Sequence, residues 1–281
     1  MNFKSLANIS LEEIVNAFIE AFADYSVHFT EQEIYSMLKR RGFHPELSFA
    51  AFKRKRIIGF TLNGVGDYLG KLSAYDTGTA ILPQYRGLGL ARQIFLDSMP
   101  VLQQNGIQQY VLEVMTKNST ALGVYKTLGF KRRRTFNCMM NQHPENMTHI
   151  DDDICHIKPC SEEELLTHTD FEDCAPSWQN DNSSILRAGE ELTAFAAMVE
   201  DRVIGYCILN PITGDLARLA VDPGFRRHGI GTRLLQEAHK INQSDIIKCL
   251  NIETDCDSLN LFLKEKNFSL ICQQYEMTLS L

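Results

Sequence analysis

Pro83-Gln84-Tyr85-Arg86-Gly87-Leu88-Gly89-Leu90-Ala91 and, 140 residues later, Pro223-Gly224-Phe225-Arg226-Arg227-His228-Gly229-Ile230-Gly231 repeat one pattern, Arg-x-x-Gly-x-Gly/Ala. Each stretch follows a β-branched, strand-like run and opens an apolar-periodic helix, so each has the layout of a strand, a glycine turn and a helix N-terminus. Amide N–H groups at a helix start have no partner within the helix and carry partial positive charge, and small residues let a pyrophosphate approach them. One such turn is a common structural device. Two in matching contexts are a strong signal for phosphate binding.

The repetition extends beyond the loops. Arg56-Ile57-Ile58-Gly59-Phe60 is echoed by Arg202-Val203-Ile204-Gly205-Tyr206, each after a charged turn and a strand-like run (Ser48 to Phe52; Thr193 to Val199), the pattern of a β-hairpin. Downstream of each loop come a helix, a strand (Gln109 to Val114; Ile246 to Ile252), a second helix and a phenylalanine that ends it (Phe130; Phe268). The chain of 281 residues therefore divides into two α/β domains, 1–140 and 141–281. Asn141 to Asp153, with three consecutive aspartates, reads as a solvated acidic linker. Asn63 to Lys71 reads as a long glycine-rich hairpin turn between the third and fourth strands, with Asp67 and Tyr68 at its tip.

Composition excludes several classes. At 44% hydrophobic and 22% charged, the chain is an ordinary globular protein, and no apolar run approaches the roughly 18 residues a membrane helix needs. Met1 to Leu6 lack the apolar core of a signal peptide, which points to the cytoplasm. A net charge of -7 argues against nucleic acid as a partner, since a phosphate backbone calls for a concentrated basic surface. All eight cysteines lie at or after Cys138, and neither Cys155 with Cys160 nor Cys249 with Cys256 has a zinc spacing. Reduced cysteines, no disulfide and no metal are expected.

The chemistry is concentrated in Tyr110-Val111-Leu112-Glu113-Val114-Met115-Thr116-Lys117-Asn118-Ser119-Thr120-Ala121-Leu122-Gly123-Val124-Tyr125-Lys126-Thr127-Leu128-Gly129-Phe130. Leu112 and Val114 face one side of a strand and Glu113 the other. Asn118 caps a helix on which Ala121, Val124, Tyr125 and Leu128 recur at helical spacing, and Gly129 ends it. Asn-x-x-Ala-x-x-x-Tyr-x-x-x-Gly-Phe, together with the Arg-x-x-Gly-x-Gly/Ala loops, resembles the GNAT (Gcn5-related N-acetyltransferase) family. Leu-Glu-Val, with Asn five and Tyr twelve residues after the Glu, is similar in particular to the ribosomal-protein-alanine acetyltransferase type.

The resemblance implies two tandem GNAT domains, each a mixed, largely antiparallel sheet flanked by helices, with acetyl-CoA as cosubstrate. It implies a pyrophosphate site in the first domain at Ile81, Leu82, Arg86, Gly87, Leu88, Gly89, Leu90 and Ala91, with Asn118 and Tyr125 along the CoA arm. Glu113 is then the general base, acting through water, and Tyr125 the general acid to the departing thiolate. The residue types suit this work. A carboxylate in a partly desolvated cleft has its pKa raised toward the working range, and a phenol near 10 stays protonated at neutral pH. Asp76, on the strand that flanks the acetyl group, is the alternative base; a hydrogen-bonded structural aspartate is its other reading.

In the second half, aligning Phe268 with Phe130 sets Asn251 opposite Glu113, Cys256 opposite Asn118, Leu263 opposite Tyr125 and Asn267 opposite Gly129. Every polar catalytic position is lost, while Val221, Arg226, Arg227, His228, Gly229, Ile230 and Gly231 remain a candidate second CoA site. Its glycines are alternatively kept for the turn alone. Lys131-Arg132-Arg133-Arg134 reads as a solvated strand start, with the CoA 3′-phosphate as the other possible partner. The acceptor is a small-molecule amine or a peptide N-terminus, and Tyr25, His28 and Phe29, between the first two helices, are candidate lining residues. The competing function is a CoA-binding or protein-interaction module without turnover.

Overall fold

A computed structural model gives the fold, and describes residues 1–25, 29–144 and 155–281. The chain forms two compact units: Met1–Arg133 together with Tyr275–Leu281, and Arg134–Gln274.

In the first unit β1 (Asn2–Ser5), β2 (Phe49–Lys53), β3 (Arg56–Tyr68) and β4 (Lys71–Ile81) pair antiparallel in that order. β5 (Gln109–Met115) then joins β4 in parallel, a step that needs a crossover, and α3 (Leu90–Gln104) supplies it. Between β1 and β2 lie α1 (Leu11–Phe22), capped by the Ser10 hydroxyl on the Glu13 N–H, and α2 (Glu31–Arg40), opened by a reciprocal Thr30–Glu33 capping box. Ile14 and Phe18 of α1 and Ile34 and Leu38 of α2 pack with Phe60 and Leu62 of β3. A second core gathers Phe95 of α3, Tyr110 and Leu112 of β5, Phe130, and Tyr125 of α4 (Ser119–Thr127).

The end of the chain completes that second core. Tyr275, Met277, Leu279 and Leu281 alternate along the sequence, so they share one strand face, and they pack with Phe95, Tyr110 and Tyr125. The Leu281 N–H donates to the Gln108 carbonyl at 3.0 Å. β12 (Ser269–Ser280) accordingly begins among residues of the second unit and ends in the first, and β6 (Lys131–Asn141) makes the opposite passage.

In the second unit β7 (His156–Pro159), β8 (Thr193–Val199), β9 (Arg202–Asn210) and β10 (Asp215–Val221) pair antiparallel in that order. β11 (Ile247–Glu253) joins β10 in parallel through α7 (Ile230–Ile241) and pairs antiparallel with β6. α5 (Glu162–Leu165) and α6 (Asn182–Ala188) precede β8, and α8 (Asp257–Glu265) follows β11.

Two expectations are corrected. Asn63 to Tyr68 is strand rather than turn, in register with Asp76 to Lys71, and the turn is confined to Leu69 and Gly70 at φ 54° and 76°. The glycines that suggested a turn answer a packing need: a Cβ on Gly64 would lie 2.0 Å from the Arg41 carbonyl oxygen. Lys131, Arg132 and Arg133 are exposed as expected, but Arg134 is buried. Its guanidinium donates to the carbonyls of Ala175 (2.6 Å) and Pro176 (2.9 Å) and pairs with Glu253 at 3.0 Å. Its donors are thus satisfied inside the fold rather than by water. Asp151 to Asp153 and His28 lie outside the described residues.

Candidate active site

The first glycine loop stands open. α3 starts at Gly89 (φ 73°) with no side chain capping it, so its first-turn N–H groups are offered outward. Gly87 (φ 79°) is also left-handed, and a Cβ on either glycine would meet no atom within 4 Å. Leu88 is exposed, Leu90 is buried beneath the loop, and Ala91 is half-buried. Ile81 and Leu82 lead into it with their backbone engaged: the Ile81 carbonyl accepts from Arg86 Nε at 3.1 Å, and the Leu82 N–H donates to Ile58 at 3.0 Å.

The Arg86 side chain is turned to the end of α1. It donates to the Ala21 carbonyl at 3.0 Å and forms a fork with both oxygens of Asp24, whose carboxyl it holds below the ordinary range. A guanidinium suits a helix C-terminus, where carbonyls carry partial negative charge. The loop's backbone is what remains to face a phosphate. Asp24 was not singled out from the sequence, although an acidic residue at the end of a helix opposite a conspicuous arginine is its signal.

From the loop, a gap runs into the sheet. β4 and β5 are in register from Ser73 with Gln109 to Tyr75 with Val111; among the described residues they pair no further, although β4 continues to Ile81 and β5 to Met115. The strands splay. Strand alternation then sorts the side chains at the splay onto two faces. Leu112 and Val114 belong to the core that holds Tyr125. Glu113 faces the other way and accepts from the Tyr75 hydroxyl. Asp76, next to Tyr75, faces the Tyr125 side, and the Tyr125 hydroxyl donates to its Oδ2 at 3.2 Å. Thr79 Oγ1 also contacts both Asp76 oxygens at 2.9 Å.

The electrostatics follow from burial. Burial raises Asp76 from 3.8 to about 6, despite bonds from Thr79, Tyr125 and the Gly78 amide and the charge of Arg41. Tyr125 is pushed well above 10 by burial and then by the adjacent Asp76 charge, so it holds its proton at any physiological pH. Burial and Glu113 do the same to Tyr75, whose ring lies 5.9 Å from the Arg41 guanidinium. Asn118 caps α4, its Oδ1 accepting from the Ala121 N–H at 3.1 Å. Among the described residues no cluster of three or more His, Cys, Asp or Glu is placed to hold a metal, and no helix is long and apolar enough to cross a membrane.

The acetyltransferase (GNAT) family model matches residues 11–130 and again residues 153–264. The chain belongs to the GNAT family. N-alpha-acetyltransferase 30 of Schizosaccharomyces pombe is 34% identical over 99 residues, which is 34% of this chain and 66% of that protein. N-alpha-acetyltransferase MAK3 of Arabidopsis thaliana is 28% identical over 113 residues, 39% of this chain and 60% of that protein. The match thus spans less than two thirds of either relative. A tandem GNAT protein from the clavulanic acid biosynthesis pathway shares the fold, covering 99% of this chain and 98% of its own at a TM-score of 0.71 and 13% identity.

The second GNAT unit repeats the scaffold with other side chains. α7 starts at Gly229 (φ 81°), and Arg227 takes the left-handed place of Gly87 at φ 64°. His228 is exposed, Ile230 is buried, and a Cβ on Gly231 would come within 3.3 Å of the Phe262 ring. Arg226 repeats the Arg86 arrangement, donating to the Val221 (3.0 Å) and Phe171 (2.9 Å) carbonyls and to Asp173 (2.7 Å). Leu263 is buried where Tyr125 stands in the first unit, and Cys256 is at the cap position of α8. After the bulge in β10, Arg218 stands where the first unit has Gly78. Its guanidinium is buried against Glu172, which also accepts from the Tyr206 hydroxyl, and it donates to the Asn180 carbonyl at 2.6 Å. A cavity of about 470 Å³ lies between the loop, β10, β11 and α8.

Proposed function

We propose that the chain is an N-acetyltransferase whose first unit moves the acetyl group of acetyl-CoA to a primary amine by direct attack in a ternary complex, in the cytoplasm. The observation that carries this is the splay between β4 and β5, which separates Glu113 from Tyr125 across the sheet and ends at the open loop around Gly89. CoA laid from that loop along the splay brings its thioester to the gap, and an amine reaches it from the Glu113 face. Glu113 removes the amine proton, through water; nitrogen bonds to the thioester carbon; the carbon–sulfur bond breaks; and Tyr125 gives its proton to the thiolate. Asp76 holds the Tyr125 hydroxyl in place until the sulfur arrives, and no covalent enzyme intermediate is required. The names of the two N-alpha-acetyltransferases favour a peptide N-terminus as acceptor.

Release of free thiol from acetyl-CoA, followed across a panel of primary amines and peptide N-termini, tests the proposal. We expect release with one acceptor class and its loss in the Tyr125→Phe chain. Tight CoA binding with no release across a broad panel would make the chain a CoA-binding module instead.

A further inference from the structure

The cavity of the second unit contains two buried polar groups that the fold leaves unused. Asn251, 5% exposed, has no hydrogen-bond partner for Nδ2 among the described residues, and Ser177, fully buried, has none for Oγ. Both residues line the cavity. On its other side the Asn251 Oδ1 accepts from the Cys138 thiol at 3.5 Å. A buried donor without an acceptor is costly, and it is retained where something else supplies the acceptor. Asn251 also sits in a left-handed backbone (φ 59°) at the irregularity of β11, at the position aligned with Glu113 of the first unit.

The same unit lacks what transfer needs. Leucine at 263 donates no proton, and Asn251, at the position aligned with Glu113, offers no basic carboxylate. The other end of the cavity is an uncapped helix start at Gly229, suited to a pyrophosphate. Resting on the CoA reading of the glycine loops, we propose that the second unit is a non-transferring binding site for a CoA thioester. It tells the thioester from free CoA through the Asn251 amide and the Ser177 hydroxyl, which meet the acyl carbonyl that free CoA lacks.

The test uses the full chain carrying Gly89→Glu, which closes the first loop to phosphate, titrated calorimetrically with acetyl-CoA, CoA and ADP. We expect acetyl-CoA to bind about 10-fold more tightly than CoA, the worth of one good hydrogen bond, and ADP to bind most weakly. Asn251→Asp keeps the size, the left-handed backbone and the acceptor for Cys138 but removes the donor, so acetyl-CoA should fall to the level of CoA or below. Ser177→Ala should reduce the preference in part, with an unchanged melting temperature. Equal affinities for acetyl-CoA and CoA, a preference that survives Asn251→Asp, ADP binding as tightly as acetyl-CoA, or no binding at all would each overturn the proposal. Such failures leave turnover by the wild-type first unit untouched, whereas absence of turnover with this preference intact would overturn only the reading of the first unit.

Discussion

The Tyr125 hydroxyl donates to Oδ2 of Asp76 at 3.2 Å, tying α4 to β4 one residue before the bulge. The phenol assigned to protonate sulfur is therefore already oriented by a carboxylate, while Glu113, assigned to the amine, lies on the opposite face with Tyr75. The proposed acid and base thus lie on opposite faces of the sheet, where they do not exchange a proton directly.

Tyr125→Phe keeps the ring among Phe95 and Phe130 and removes only the hydroxyl. We expect turnover to fall on the order of 10²-fold with little change in CoA affinity. Near-normal turnover would reduce Tyr125 to a core residue.

Glu113→Gln keeps an acceptor for the Tyr75 hydroxyl while removing the basic carboxylate. Turnover should fall and the acidic limb of the pH–rate profile should disappear. Because burial raises Asp76 to about 6, a limb that persists in Glu113→Gln and vanishes in Asp76→Asn would move the base to Asp76.

The raised pKa of Asp76 has a stability consequence of defined sign. Between about pH 4 and pH 6 the folded state binds this proton more tightly than the unfolded chain, so stability contributed by Asp76 falls as pH rises through that window and is level above it. Asp76→Asn has no such slope. The urea midpoint of the variant relative to wild type should therefore rise from pH 4 to pH 7, and a difference independent of pH would show that Asp76 is not held protonated by burial.

Gly89→Glu puts its Cβ where no atom beyond the adjacent residues lies within 4 Å, at a cost of about 1 kcal/mol for the left-handed backbone, so the fold should survive. We expect loss of turnover together with loss of CoA binding by the first unit. Gly229→Glu should leave at least part of the turnover. The reverse outcome, measured by thiol release, would move the chemistry to the second unit.

The local layout was legible because it depends on nearest neighbours along the chain. Repeated glycine spacing marked both helix starts at Gly89 and Gly229, and period-two alternation around Glu113 put it on the face opposite Leu112 and Val114, where it lies. The Asn118 cap and the helix carrying Tyr125 were equally plain, since capping and helical periodicity act within a few residues.

Local patterns along the chain carried the family, the doubling of the scaffold and the residue types at the proposed reacting positions. Tertiary structure alone decided which partners those residues meet. Asp76 and Tyr125 are 49 residues apart, Arg86 and Asp24 are 62 apart, and nothing local to either partner encodes the approach. The Asn63 to Tyr68 stretch shows the same limit: its glycines looked like a turn, and only the passage of the Arg41 backbone explains why a strand needs them. Tyr275, Met277, Leu279 and Leu281 set apolar side chains on alternate residues, but which core they complete depended on where Phe95, Tyr110 and Tyr125 left apolar surface to cover. Hydrophobic burial is non-directional, so a sequence specifies that such a face must be buried without saying against what.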